Sequence, residues 1–171
     1  FGGQTQAREW SFETLTFAAA LAGHTERIAI FSTVHVPLVH PVFAAKALTT
    51  LDHASHGRAG LNIVCGWNPD EFAMFGVKVP DDRYAQGEEW WSIVRRVHAG
   101  EAPFDFDGKF YKLSRAQIRP YPLQQPWPRF YLGGGSGQAW ELSAKHSDVH
   151  LFWGDTYAQI TSNMTAIRAL A

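Results

Sequence analysis

Apolar residues recur along the chain in two alternating patterns, one typical of a buried strand and one with the period of an amphipathic helix. A short apolar run is followed four times by a loop and a segment of helical spacing. Helix-starting and helix-ending residues such as Pro41, Gly57 and Gly100 bound these segments. The pattern therefore predicts four βα units, with strands at 27–34, 59–65, 129–132 and 149–153 and helices at 41–57, 83–98, after 136 and up to 171.

Local signals refine this outline. A first helix is predicted from Ser11, as N-cap, to Gly23, with Phe12 and Phe17 among its apolar positions. Ile28 is expected inside the first strand, and Phe43 on the inward face of the helix that starts at Pro41. The stretch after residue 65, rich in Gly, Asn, Pro and Asp, is expected to be a loop.

One segment departs from the βα repeat. Residues 104–113 place Asp107 and Gly108 between aromatic runs, which predicts a β-hairpin inserted near 104–122. The alternation elsewhere predicts a parallel sheet, either open and doubly wound or closed as a barrel. A closed eight-unit barrel takes roughly 250 residues. Residues 1–171 would then be one partial barrel domain.

Composition narrows the classes of function. The 171 residues are 46% hydrophobic, enough for a packed core, and the formal net charge of -1 gives no footprint for nucleic acid or an anionic membrane. No apolar stretch approaches the roughly 20 residues that span a bilayer. The single cysteine, Cys65, cannot form an internal disulfide, which favours a reducing, cytoplasmic location.

The strand ends carry the candidate chemistry, because ligands of parallel α/β folds gather there. Residues 133–137 (GGGSG) fit a phosphate cradle in front of a helix N-terminus. The alternative is an ordinary turn in which Ser136 caps the helix. No lysine follows in the position of a nucleotide P-loop.

The Arg83–Tyr84 pair and Asn62 could each have either a structural or a functional role. Arg83 and Tyr84 begin a helix, where they could contact a phosphate or simply face solvent. Asn62 lies within an apolar strand, and its buried amide needs partners. A ligand at the strand end or a neighbouring strand would satisfy it.

Histidine and cysteine give weaker signals. His35, His40, His53 and His56 fit no zinc spacing and have no carboxylate cluster beside them, so a metal site is disfavoured. His35 is expected in a pocket at a strand end. Cys65 is expected to be a small buried residue rather than a nucleophile. Trp67, Phe72, Met74 and Phe75 could cover a flat ring or pack in the core.

Taken together, residues 55–72 (SHGRAGLNIVCGWNPDEF), DDRYAQGEEW, FYLGGGSGQAWELSAKHSDVHLFWGD and the opening FGG resemble the bacterial luciferase-like flavin-dependent monooxygenases. The likeness is greatest to the alkanesulfonate, dimethylsulfone and pyrimidine monooxygenases. It extends over nearly the whole chain and implies a (β/α)8 TIM barrel of the luciferase-like type, present as a central fragment. Further strands would precede Phe1 and follow Ala171.

The resemblance also implies an activity and its parts. Relatives use reduced FMN (FMNH2) from a separate flavin reductase, with O2 as co-substrate, to oxidise a small sulfur- or nitrogen-containing molecule. Alkanesulfonate-type substrates are favoured here, and a homodimer or homotetramer is expected. The cofactor-binding residues that match are Asn62, Glu71, Arg83, Tyr84, Gly135 and Ser136. His35 stands where sulfonate-cleaving relatives have a basic residue and is the catalytic candidate.

Three alternatives compete with this hypothesis. A deazaflavin could replace FMN, because the superfamily uses both cofactors. The chain could belong to a flavin-binding protein without turnover. A metal-dependent barrel hydrolase is the third.

Overall fold

The computed structural model describes residues 11–171. This part of the chain contains six helices and six strands, and none of these helices is both long and apolar enough to cross a bilayer. Four strands each lead into a helix, which confirms the predicted α/β fold. In chain order the elements are α1 (Thr14–His24), β1 (Ile30–His35), α2 (Pro41–Ala54), β2 (Ala59–Val64), α3 (Pro69–Met74), α4 (Arg83–His98), β3 (Phe104–Asp107), β4 (Lys112–Ala116), β5 (Arg129–Gly133), α5 (Gly137–His146), β6 (Val149–Leu151) and α6 (Tyr157–Arg168).

Strands β1, β2, β5 and β6 form one parallel sheet in that order. The register places Thr33 beside Asn62, and Asn62 beside Tyr131. Over the described residues the spatial order of these strands follows the chain without reversal. An open doubly wound sheet reverses its order at a switch point, whereas a barrel does not. The topology is that of a barrel sector.

The two faces of this sheet differ in burial. One face packs against α1, α2, α4 and α5 in a single core that includes Leu48, Trp90 and Trp91. Its buried strand residues are Ile30, Val34, Leu61, Ile63, Phe130 and Leu132. On the other face Phe31 stacks on Tyr131, with ring centroids 4.6 Å apart. In a closed barrel the helix-free face is the interior.

The start of α1 corrects the sequence prediction. Glu13, not Ser11, is the N-cap, because its carboxylate accepts hydrogen bonds from two backbone N–H groups of the first turn at 2.9 and 2.7 Å. Phe12 therefore lies outside the helix and is exposed, and Phe17 is also largely exposed. The residues that α1 buries are Ala18 and Ala22.

Two other apolar residues were wrongly placed in the core. Ile28 precedes β1 and is 53% exposed, because the Arg58 guanidinium donates to the Ile28 and Thr25 carbonyls, each at 2.6 Å, and holds this segment as a connection. Phe43 is 63% exposed, since α2 turns the next two residues, Ala44 and Ala45, into the core. The loop expected after residue 65 contains the short helix α3.

The hairpin of β3 and β4 forms a separate antiparallel sheet. Glu89, on α4, fastens its turn: the backbone N–H groups of Lys109, Phe110 and Tyr111 donate to the Glu89 carboxylate at 2.7, 3.0 and 3.2 Å. A Cβ at Gly108 would lie 2.2 Å from a Glu89 oxygen, so a side chain there would displace the Glu89 carboxylate from the turn. The prediction that residues 104–122 form an insertion in the barrel domain stays a prediction.

Candidate functional site

A cavity of about 690 Å³ lies at the carboxyl ends of the parallel strands. We call it the strand-end cavity. It has the size of a pocket for a small molecule or cofactor. Six of the seven candidate residues line it, which are His35, Asn62, Arg83, Tyr84, Gly135 and Ser136. The seventh, Glu71, lines a neighbouring cleft.

Two helix N-termini border the strand-end cavity. Arg83 is the first residue of α4, and Ser136 is the N-cap of α5. The Ser136 hydroxyl accepts a hydrogen bond from the Ala139 N–H at 3.2 Å and lies 2.9 Å from the Tyr84 hydroxyl. Ser136 is thus a helix cap and a member of the cavity wall at once. The N–H groups of a first helical turn have no intrahelical acceptor and carry partial positive charge, which favours an anion here.

The glycines before α5 have different surroundings. A Cβ on Gly134 would lie 2.6 Å from the Cβ of Ala139, so the turn can pack against α5 only without a side chain there. Gly135 has no atom within 4 Å of the corresponding position. Packing therefore requires glycine at 134, whereas at 135 the missing side chain leaves the backbone open to the cavity.

Two buried polar atoms in the cavity wall have no hydrogen-bond partner among the described residues: the Oδ1 of Asn62 and the Nε of Arg83. Asn62 also donates from Nδ2 to the Thr33 hydroxyl on β1 at 3.2 Å. Its amide is thus half satisfied by the neighbouring strand. Leaving a buried acceptor or donor unpaired costs about 1–3 kcal/mol. A ligand that offers an N–H donor near Asn62 and an anion near Arg83 would remove both penalties.

Thr33 is the site residue that sequence analysis missed. It lies beside Asn62 in the register of β1 and β2 and lines the strand-end cavity. The signal was present in the sequence as a polar residue two positions before the end of β1. Its meaning depends on the register, which the sequence does not specify.

His35 and Glu71 lie together beside this cavity. His35 ends β1, and its Nε2 is 3.9 Å from Oε2 of Glu71, which is buried on α3. The imidazole meets the Phe72 ring edge-on, with centroids 5.4 Å apart. The neighbouring cleft, bounded by α1, α2 and α3, is lined by Glu71, His35, Leu15, Leu38, Phe43 and Phe75 among others. We call it the apolar cleft.

Two of the other three histidines considered for a metal, His40 and His53, have hydrogen-bond partners within the protein. The Nδ1 of His40 accepts from the Val42 N–H at the start of α2, and the Nε2 of His53 bonds the Tyr121 carbonyl at 2.8 Å. His56 follows α2 with a positive φ of 54°. Over residues 11–171 no three His, Cys, Asp or Glu side chains are grouped so that they could hold a metal ion.

Cys65 also lines the strand-end cavity but is buried. Burial raises the pKa of its thiol to about 12, against a smaller lowering by the Arg83 charge. The thiol therefore stays protonated near neutral pH and is a poor nucleophile. This agrees with the expectation of a small buried residue.

The aromatic residues after β2 separate into two groups. Phe72 is fully buried and packs under Gly66, where a Cβ would lie 2.9 Å from its ring. Trp67 is largely exposed at the rim of the strand-end cavity, as is Trp153 after β6. Packing thus accounts for Phe72, and the two tryptophans provide ring faces at the cavity mouth.

Solved structures of several enzymes share this fold. A riboflavin lyase, solved with a modified FMN and the substrate riboflavin, is 23% identical with a TM-score of 0.86, over 94% of this chain and 41% of that one. The EDTA monooxygenase of Chelativorans sp. BNC1 is 22% identical with a TM-score of 0.86, over 95% and 44%. A monooxygenase of Streptomyces bottropensis is 28% identical with a TM-score of 0.80, over 92% and 49%.

The chain spans less than half the length of these three structures. The sequence itself matches the luciferase-like monooxygenase family over residues 2–171. That match covers nearly all of the chain and agrees with the parallel sheet and the resemblance of its motifs. The chain belongs to the luciferase-like monooxygenase family.

Proposed function

We propose that this chain forms the cofactor-binding part of a monooxygenase that uses reduced FMN and O2 to oxidise a small sulfur- or nitrogen-containing molecule, with alkanesulfonates favoured. The observation that carries the proposal is the strand-end cavity, where two helix N-termini and two unsatisfied buried polar atoms meet. Family membership supports the use of a flavin in that cavity.

The phosphate end of FMN fits the side of the cavity formed by α4 and α5. Ser136 and the open backbone at Gly135 offer donors there, and the Tyr84 hydroxyl is held against Ser136. Arg83 adds a positive charge and an unsatisfied Nε donor. Charged donors of this kind form the stronger class of hydrogen bonds to phosphate.

The ring end of FMN fits the strand side. The Oδ1 of Asn62 is an acceptor in need of a donor, and the amide N–H of a flavin ring is such a donor. Thr33 fixes the Asn62 side chain so that Oδ1 stays available. Trp67 and Trp153 at the mouth can shield the ring from water.

The chemistry divides between cofactor and protein. Bound reduced flavin supplies two electrons and activates O2. The protein orients the flavin through Asn62 and Arg83 and excludes water at the strand ends. His35 holds an exchangeable proton on its imidazole beside both the strand-end cavity and the apolar cleft. We include a separate flavin reductase and a homo-oligomeric assembly in this proposal.

The test is turnover by the full-length protein with a flavin reductase, NADH, FMN and a panel of alkanesulfonates and sulfones. Oxygenation at the carbon next to a sulfonate gives a hydroxysulfonate, which expels sulfite and leaves an aldehyde. We expect sulfite release that requires both O2 and the protein. A reductase mixture without the protein is the control, because free reduced flavin consumes O2 by itself.

Other outcomes would point to the alternatives. Turnover with a reduced deazaflavin but not with FMN would contradict the cofactor assignment. Tight FMN binding without product from any substrate in the panel would favour a flavin-binding protein without turnover.

A further inference from the structure

His35 occupies the boundary between two cavities. It is the last residue of β1, and it lines both the strand-end cavity and the apolar cleft. Thr33 is also shared, but it carries no group that titrates near neutral pH. The His35 side chain is only 15% exposed, and the edge of Phe72 limits the orientation of its ring. An imidazole placed in this way can reach molecules in either cavity.

Glu71 faces His35 from the side of the apolar cleft. Its carboxylate is 7% exposed and lies 3.9 Å from the imidazole Nε2, which is within ion-pair range and beyond hydrogen-bond range. Glu71 does not line the strand-end cavity, where the proposed flavin ligands lie. Its position therefore suits a role on His35, and the flavin contact implied by the family resemblance stays a prediction.

We propose that Glu71 is a positioning residue for His35: its carboxylate orients the imidazole and stabilises the protonated ring, which then serves as proton donor at the boundary of the two cavities. The chemical role of the donated proton rests on the proposed function. The pairing of the two side chains does not, because it requires neither flavin nor turnover.

Other charged and titratable groups line the two cavities that meet at His35. Across the apolar cleft these are Glu13 at the start of α1 and Lys46 on α2. In the strand-end cavity they are Cys65, Arg83 and Tyr84. Lys46 and Arg83 carry positive charge in these cavities, whereas the Glu71 carboxylate, 3.9 Å from the imidazole, is a negative charge that favours the imidazolium.

The test follows the imidazole of His35 by NMR against pH in the full-length protein without flavin, as wild type and as Glu71→Gln. We expect the midpoint of the His35 titration to move to lower pH by about one unit in the variant, because a charge within 4–6 Å shifts such equilibria by roughly 1–3 units. Asp70→Asn, which removes an exposed carboxylate from the same short helix, is the matched control and should leave the midpoint in place. An unchanged midpoint in Glu71→Gln would overturn the proposal.

A second variant covers the case in which Glu71→Gln does not fold. Glu71→Asp keeps the charge but withdraws it by one methylene, so the midpoint should fall by a smaller amount. No movement in this variant, with native folding confirmed by circular dichroism, would also refute the pairing.

The pH dependence of kcat links the pair to turnover. A general acid is active while protonated, so kcat should fall as pH rises through the His35 midpoint. Glu71→Gln should move this fall to lower pH by the amount seen in NMR, and His35→Gln should abolish it. A shift in NMR with an unmoved kcat profile would keep the pairing but reject His35 as the proton donor. Failure of the flavin proposal alone would leave the NMR result intact.

Discussion

The three consecutive glycines at the end of β5 and just after it have different surroundings, and these surroundings decide what each glycine does. Gly134 is held against Ala139, with 2.6 Å between Cβ positions if a side chain were present. Gly135 has open space at the same point. The sequence does not distinguish the three glycines, since the whole run fits either a phosphate cradle or an ordinary turn before the Ser136 cap. The structure divides them into one required by packing and one that leaves room for a ligand.

Alanine substitutions separate these two roles. We expect Gly134→Ala to lower the free energy of unfolding by about 1–3 kcal/mol, the usual range for overpacking. Gly135→Ala should leave stability nearly unchanged and weaken FMN binding, because its methyl group would occupy ligand space. Chemical denaturation and flavin titration of both variants measure the two effects. Equal destabilisation by both substitutions would refute the distinction.

At the scale of elements, strong periodicity made the long segments predictable. Helix α4 begins at Arg83 and ends at His98, as its sequence predicted. The start of α1 was not predictable, because Ser11 and Glu13 can both cap a helix and only the path of the chain selects one. Helix α3 is six residues long, too short to show a period.

The candidate site also has a part that the sequence predicted and a part that it did not. Four of the six candidate residues that share a cavity lie at or near strand ends, which a parallel fold brings together. The other two, Arg83 and Tyr84, begin the helix α4 that follows β2 and α3. Glu71 was placed with the flavin by family resemblance. Its position beside His35 depends on where the chain places α3 relative to the end of β1, and the sequence has no local signal for that.

A substitution at Glu89 tests whether this side chain attaches the β3–β4 hairpin to α4. Its carboxylate accepts three backbone N–H groups of the turn, so Glu89→Gln should lower the free energy of unfolding by roughly 1–3 kcal/mol. Hydrogen exchange in residues 104–116 should also become faster. Glu101→Gln, which removes an exposed ion pair with Arg96, is the control and should change stability by less than about 1 kcal/mol. Unaltered exchange in the hairpin of Glu89→Gln would contradict the attachment.

At the scale of the whole molecule, one core links α1, α2, α4 and α5 to the covered face of the sheet. His98 lies in it almost fully buried, stacked on Phe130, with its Nε2 bonded to the Ala45 carbonyl at 3.0 Å. Burial lowers the pKa of His98 below its ordinary value, and the Ala45 bond and the Asp52 charge offset this only in part. The native state therefore holds His98 neutral.

Stability should depend on pH through this group. An unfolded histidine titrates near 6.5, so below about that pH the unfolded chain takes up the proton before the native state does. The contribution of His98 to the free energy of unfolding should have its full value above about pH 6.5. It should decline as the pH falls toward the lower pKa of His98 in the native state. His98→Gln should flatten this decline, whereas His24→Gln at an exposed helix end should not. Chemical denaturation at a series of pH values from 5 to 8 measures this dependence. If the free energy of unfolding falls equally with pH in wild type and His98→Gln, the decline does not come from His98.

The flavin site is tested most directly by anaerobic titration of the full-length protein with reduced FMN, followed by flavin fluorescence. The variant combines Arg83→Ala with Ser136→Ala, and the control combines Arg168→Ala with Ser162→Ala on the exposed side of α6. We predict saturable binding that the first pair weakens by about 1–3 kcal/mol and the second leaves unchanged. Absence of saturable binding, or equal affinity in all three proteins, would contradict the placement of FMN at the strand ends.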